Sequence, residues 1–250
     1  MKKVLIEEMS WSEFKDAMTE TDLVVIPVGS LEEHGRHNPL GVDMLVAAWC
    51  AERIGRKANA LVAPVMPYGY AASISGFAGT VTLDPELLRR VYFSYAESYI
   101  KHSAKRFLWI NGHGGNVATL DIVAGDLYDR YGAISTHTEW WTTLAQINPN
   151  WPCDDHGGYF ETSVQMAVNA DIVDMSKAQA APTFNLTEKI TANVYRGVRV
   201  DIPIPLHKQQ MIGNKGRPPA GANAELGQAM LQAYIDYNVG LANELRKIAQ

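Results

Sequence analysis

The sequence predicts an α/β domain, a three-layer α/β/α sandwich with a mostly parallel central sheet. Two observations predict it. Short apolar runs of strand length alternate with amphipathic segments of helix length, which is the pattern of βα units. The clearest runs, 23–28 and 106–110, are apolar nearly throughout, as strands covered by helices on both faces are.

Each element follows in order. Residues 23–28 read as a buried strand. Residues 42–58 read as a helix, with apolar residues at 45, 46, 49 and 50 and basic residues near its end. Residues 60–65 form a short strand closed by Pro64 and Pro67. Asp84-Pro85 opens a long helix over 85–103, aspartate as cap and proline in the first turn. A strand at 106–110, a helix at 117–131 and a strand at 133–138 continue the alternation. Helices over 158–169 and 223–248 complete it. Between 172 and 220 the pattern weakens, and prolines at 182, 203, 205, 218 and 219 mark loops and short edge strands. No repeat, low-complexity segment or linker interrupts the chain, so a single domain over 1–250 is expected.

Composition narrows the function. With 250 residues, 47% of them hydrophobic, the chain can bury a sizeable core. The net charge is -5 and no basic block exists, so nucleic acid is not an expected partner. No apolar run approaches the ~20 residues that span a bilayer. Glu7 and Glu8 interrupt the short apolar start, unlike a signal peptide, and a cytoplasmic protein is expected. Cys50 and Cys153 are too few for a disulfide framework and are expected to be inert thiols.

The chemistry concentrates after strands. Residues 29–43 follow the first strand and carry Glu32, Glu33, His34, His37 and Asp43 among glycines. Carboxylates and imidazoles together suit divalent metals. Glu32 and His34 are two apart, so in extended backbone they face one side and Glu33 the other. Asp43 opens a helix, where it would serve as a cap or, beside Glu32 and His34, as a ligand. A second loop, Asn111-Gly112-His113-Gly114-Gly115-Asn116, follows the strand at 106–110. Its glycines allow close backbone approach to a ligand. Its spacing fits neither common phosphate-binding fingerprint. In open α/β sheets such loops meet beyond the carboxyl ends of the strands. A third cluster, 154–163, places His156 before a helix and Glu161 in its first turn, where the helix dipole also favours a carboxylate.

These segments resemble the creatininase (creatinine amidohydrolase) family. The resemblance rests on Val28-Gly29-Ser30-Leu31-Glu32-Glu33-His34-Gly35 with His37 and Gly41-Val42-Asp43, on Asn111 to Asn116, and on His156-Gly157-Gly158-Tyr159-Phe160-Glu161-Thr162-Ser163. A weaker match spans 213–227. The matches keep their order over residues 25 to 230. The resemblance implies the three-layer fold, two divalent metal ions (Zn, Mn or Fe) and a homohexamer. It implies Glu32 and His113 as ligands of one metal, His34 of the other, Asp43 as bridge and Glu161 as a further ligand. His156 would handle protons near the substrate.

Two departures bear on substrate. Creatininases proper carry a glutamate ligand where this chain has Gly115. Members with glycine there take that ligand from the position of Glu161, and they include deformylases, peptide-processing enzymes and ring-opening hydrolases of cyclic polyol ketones. Many members also have an acidic residue at the place of Tyr159 and proline at that of Arg36. The expected function is a metal-dependent hydrolase whose metal-bridged hydroxide attacks a carbonyl of a small cyclic substrate, a cyclic amide or related C–N bond. His156 and Glu161 are its catalytic candidates. The alternatives are ring opening of a cyclic polyol diketone, deformylation of a ribosylpyrimidine, and a non-catalytic binding protein. Trp140, Trp141, Tyr70 and Ser75 are candidate contacts to the small-molecule substrate, the 67–80 segment forming a rim. Adjacent tryptophans in extended backbone cannot both face inward, so at least one lines a surface or pocket.

Overall fold

The computed structural model describes residues 3–191, 194–200 and 202–249; Met1, Lys2, Ala192, Asn193, Asp201 and Gln250 of the expected domain lie outside them. Seven helices of four residues or more and two sheets are seen among the described residues. The first helix, α1 (Trp11–Glu20), starts at a capping box between Ser10 and Glu13. The sheet then begins with β1 (Leu23–Val28), followed by α2 (Val42–Ala58), β2 (Leu61–Val62), α3 (Pro85–Ile100) and β3 (Arg106–Asn111). Next come α4 (Val117–Tyr131), β4 (Ile134–Glu139), α5 (Trp140–Ile147) and α6 (Tyr159–Asn169).

Strands β2-β1-β3-β4 pair in that order, all parallel. Alternate side chains split between two layers. Leu23, Val25, Leu108 and Ile110 face one core with residues of α2, α5 and α6. Val24, Ile26, Phe107 and Trp109 face the other with residues of α1, α3 and α4. Both central strands are therefore buried on both faces, which is why they read as unbroken apolar runs. The C-terminal helix α7 (Ala224–Leu245) joins the first layer through Met230, Leu231, Tyr234 and Ile235.

The differences from expectation are local. The strand expected at 60–65 is ordered as sheet only at Leu61–Val62. Helix α3 stops at Ile100, ahead of Ser103, whose φ of 78° belongs to a left-handed turn. Residues 140–147, assigned no element from the sequence, form a helix. The weak region holds β5 (Ile190–Thr191), β6 (Val194–Tyr195) and β7 (Val198–Arg199), a separate antiparallel sheet and not edge strands of the main one. No helix is long and apolar enough to cross a membrane among the described residues.

Topology fixes where the site must be. From β1 the chain reaches β2 on one side, and β3 sits on the other, so the order switches between β1 and β3. Ligands bind outside the carboxyl ends of the strands at such a point. Val28 and Asn111 pair at those ends, so the two ligand-rich loops leave the sheet side by side.

Candidate metal centre

The loop after β1, the first turn of α2, the loop after β3 and the first turn of α6 converge. Gly112 makes this possible: a Cβ there would lie 2.2 Å from the Asp43 carbonyl oxygen, so only glycine lets α2 settle onto the strand ends. Asn116, fully buried, ties the loops together by donating to the Gly29 carbonyl and accepting from the Tyr70 N–H.

Asp43 sits at the centre. It does not cap α2, whose first turn it merely occupies. Its Oδ1 lies 2.9 Å from His34 Nε2, and its Oδ2 lies 3.1 Å from His113 Nδ1. Glu32 Oε2 is 3.0 Å from the same His113 nitrogen. Glu161 Oε2 is 3.5 Å from His34 Nε2 and accepts the Gly157 N–H at 2.6 Å. Two triplets result, Glu32–Asp43–His113 and His34–Asp43–Glu161, each with its donor atoms within 4.8 Å of one another. They share Asp43 but use different oxygens of it.

The donors fit divalent cations. Glu32 Oε2, His34 Nε2 and Asp43 Oδ2 are buried without a hydrogen-bond partner. Buried polar atoms are generally paired, so carboxylate and imidazole atoms left without a partner within the two triplets suit bound cations. Three carboxylates would balance most of the charge of two divalent ions. Backbone contacts orient both imidazoles. His34 Nδ1 is 3.1 Å from the Glu32 carbonyl and His113 Nε2 is 2.9 Å from the Tyr70 carbonyl, which leaves the opposite nitrogens free as ligands.

Electrostatics agree. Burial pushes the His34 imidazole down, but Asp43 and Glu161 override it and hold it up at about 10. His113 is likewise raised, against burial, by Glu32 and Asp43. Burial raises Asp43, yet the two histidines hold it well below the usual carboxylate range. Burial lifts Glu161, opposed by His34 and His156. Protons thus stand where cations would, and metal binding must displace them.

Gly115 stands against the contact that orients His113. A Cβ there would lie 2.0 Å from the Tyr70 carbonyl and 2.5 Å from His113 Nε2. The backbone contact that orients His113 occupies the room a side chain at 115 would need. Glu161 joins His34 and Asp43 from the first turn of α6.

His156 borders the pair of triplets. Its Nδ1 lies 3.9 Å from Glu32 Oε1 and 3.8 Å from Glu161 Oε2, and its ring is 4.5 Å from that of His34. It also groups with Glu32 and His34 as a third possible ligand set. A cavity of about 980 Å³ opens over these residues. Trp141, Ile74, Phe184, Ile204 and Leu206 give it apolar walls; Ser73, Gln210 and Asn214 add polar groups.

Three expected substrate contacts are placed elsewhere. Trp140 is 1% exposed and packs on Phe160 in the core. The pair begins a helix, whose successive side chains diverge, so Trp141 alone reaches the cavity. Ser75 is exposed and donates to the Ala72 carbonyl, outside the cavity lining. Tyr70 serves through its backbone carbonyl; its ring does not line the cavity. Sequence reasoning missed the walls from 181–184 and 202–206, which lie in the stretch with no periodic signal.

Known proteins resemble this chain in sequence and in fold. Residues 7–241 match the family model described as creatinine amidohydrolase. Creatinine amidohydrolase of Pseudomonas putida is 30% identical over 72% of this chain and 78% of that protein. The mycofactocin precursor peptide peptidase of Mycolicibacterium smegmatis is 34% identical over 66% of each. A solved manganese creatininase superposes with a TM-score of 0.76 at 26% identity, over 98% of both chains. A Zn–Zn creatininase variant gives 0.76 at 25% identity, over 99% of this chain and 98% of that one.

Proposed function

The chain belongs to the creatininase family of metal-dependent amidohydrolases, and we propose that it hydrolyses an amide-type C–N bond of a small molecule at a two-metal centre. The observation that carries this reading is Asp43, whose two oxygens each face a different imidazole and a different triplet. Glu32, Asp43 and His113 would hold one ion; His34, Asp43 and Glu161 would hold the other. Zinc and manganese, named for the solved creatininases, suit these nitrogen and oxygen donors. When bound, such ions supply Lewis acidity toward a carbonyl oxygen and acidify water.

The chain's own groups do the rest. His156 Nδ1 faces Glu32 and Glu161, a position from which it would take a proton from water and pass it to a leaving nitrogen. Trp141 and Ile74 offer flat and apolar surface to hold the substrate. Phe184, Ile204 and Leu206 add apolar wall to the cavity. A small cyclic amide is the first substrate reading. The cavity volume favours a second, a larger amide such as a peptide: about 980 Å³ is at the upper end of the roughly 300–1,000 Å³ typical of ligand sites. A phosphorylated substrate has less support, since Lys215 is the one lysine or arginine among the described residues lining the cavity.

The test is hydrolysis by zinc- or manganese-loaded protein of a panel of creatinine, other cyclic amides, formamides, keto-inositols and short peptides. Metal-dependent turnover of an amide is expected. Turnover of the keto-inositols alone, or of nothing, would overturn the amidohydrolase reading.

A further inference from the structure

Glu33 is a fourth carboxylate at the site, 5% exposed, and it belongs to none of the metal-competent triplets. Extended backbone turns it away from Glu32 and His34, and the structure shows what it turns toward. Its Oε1 lies 3.1 Å from His156 Nε2. Its Oε2 accepts the Gly35 N–H at 2.9 Å. A Cβ on Gly213 would fall 1.9 Å from Oε2, so glycine at 213 leaves the room the carboxylate fills. The chain beside it is pinned as well, because the backbones of His156 and Lys215 exchange hydrogen bonds at 2.9 and 2.7 Å. The His156 ring is thus gripped at Nε2, with Nδ1 turned toward Glu32 and Glu161.

We propose that Glu33 is the positioning residue of His156, keeping the ring proton on Nε2 and the Nδ1 lone pair toward the metal-binding carboxylates. An ionised carboxylate only accepts hydrogen bonds, so the nitrogen facing it must carry the proton. The partner of one ring nitrogen sets what the other can do. What Nδ1 is used for rests on the hydrolase reading; the ring tautomer does not.

The isosteric Glu33→Gln variant tests this sharply. The Gly35 N–H requires the amide oxygen on its side, which turns the amide NH₂ toward His156 Nε2. That nitrogen must then accept, and the proton moves to Nδ1. Solid-state ¹⁵N NMR of histidine-labelled, zinc-loaded protein reads this directly, with the His156 signal identified by its loss in His156→Gln. Wild type should show protonated Nε2 and bare Nδ1, and Glu33→Gln the reverse. Glu33→Leu, which neither donates nor accepts, should give a mixture. A wild-type ring protonated on Nδ1, or variants that keep the wild-type tautomer, would overturn the proposal. Zinc content of the same samples separates the two readings. Protein that binds no zinc sinks the two-metal reading, while the ring signal, recorded without zinc at alkaline pH where the ring is neutral, still decides the role of Glu33.

Discussion

Gly115 shows how one absent side chain leaves room for a backbone contact at the site. The Tyr70 carbonyl takes the space beside it and orients His113 through Nε2. Gly115→Ala should push that carbonyl away and free the imidazole to rotate. Loss of such an outer contact weakens metal binding by about 10–100-fold. Zinc titration against a competing chelator measures it; an unchanged zinc affinity would show that the Tyr70 contact does not orient His113. Glu32, His34 and His113 were legible in the sequence because residue type and two-residue spacing carry ligand chemistry directly. Trp140 and Trp141 were not. Their facing depends on whether the backbone there is strand or helix, and two adjacent tryptophans carry no signal that separates the two.

Elements carry the ligands, so contacts between elements reach the site. Gly227 of α7 meets α6 so closely that a Cβ would lie 2.0 Å from the Ser163 carbonyl. Gly227→Ala should destabilise the fold by about 1–3 kcal/mol through overpacking. It should also loosen the helix that presents Glu161, and a lower denaturation midpoint together with reduced zinc retention would report both. On the edge strand β4, His137 bonds Glu139 and, at 2.9 Å, Asp121 of α4. The hydrogen bond to Glu139 is the main cause of its raised pKa, burial opposing and Asp121 adding. A histidine raised in the folded state contributes stability that is full below its unfolded value, near 6.5, and is lost as pH rises through the folded value. The denaturation midpoint of wild type should therefore decline across that window more than that of His137→Gln; parallel pH profiles would refute the pairing. Strands β1 and β3 were legible because burial on both faces leaves no polar interruption. Helix α1 was passed over although its Ser10 and Glu13 capping box stands in the sequence. The sheet β5–β7 has two-residue strands, too short for any period to show.

At the scale of the whole molecule, the sheet's switch point, the glycine that lets α2 approach and the helix that offers Glu161 bring five ligand candidates from distant parts of the chain together. The three-layer architecture follows from the alternation of elements, and much of the cavity wall comes from the least regular stretch. The central claim is that Asp43 bridges two divalent ions. Elemental analysis of zinc-loaded wild type and Asp43→Ala, each checked for folding, tests it most directly. The account predicts about two ions per chain in wild type and loss of both in the variant. An Asp43→Ala protein that keeps both ions would contradict it.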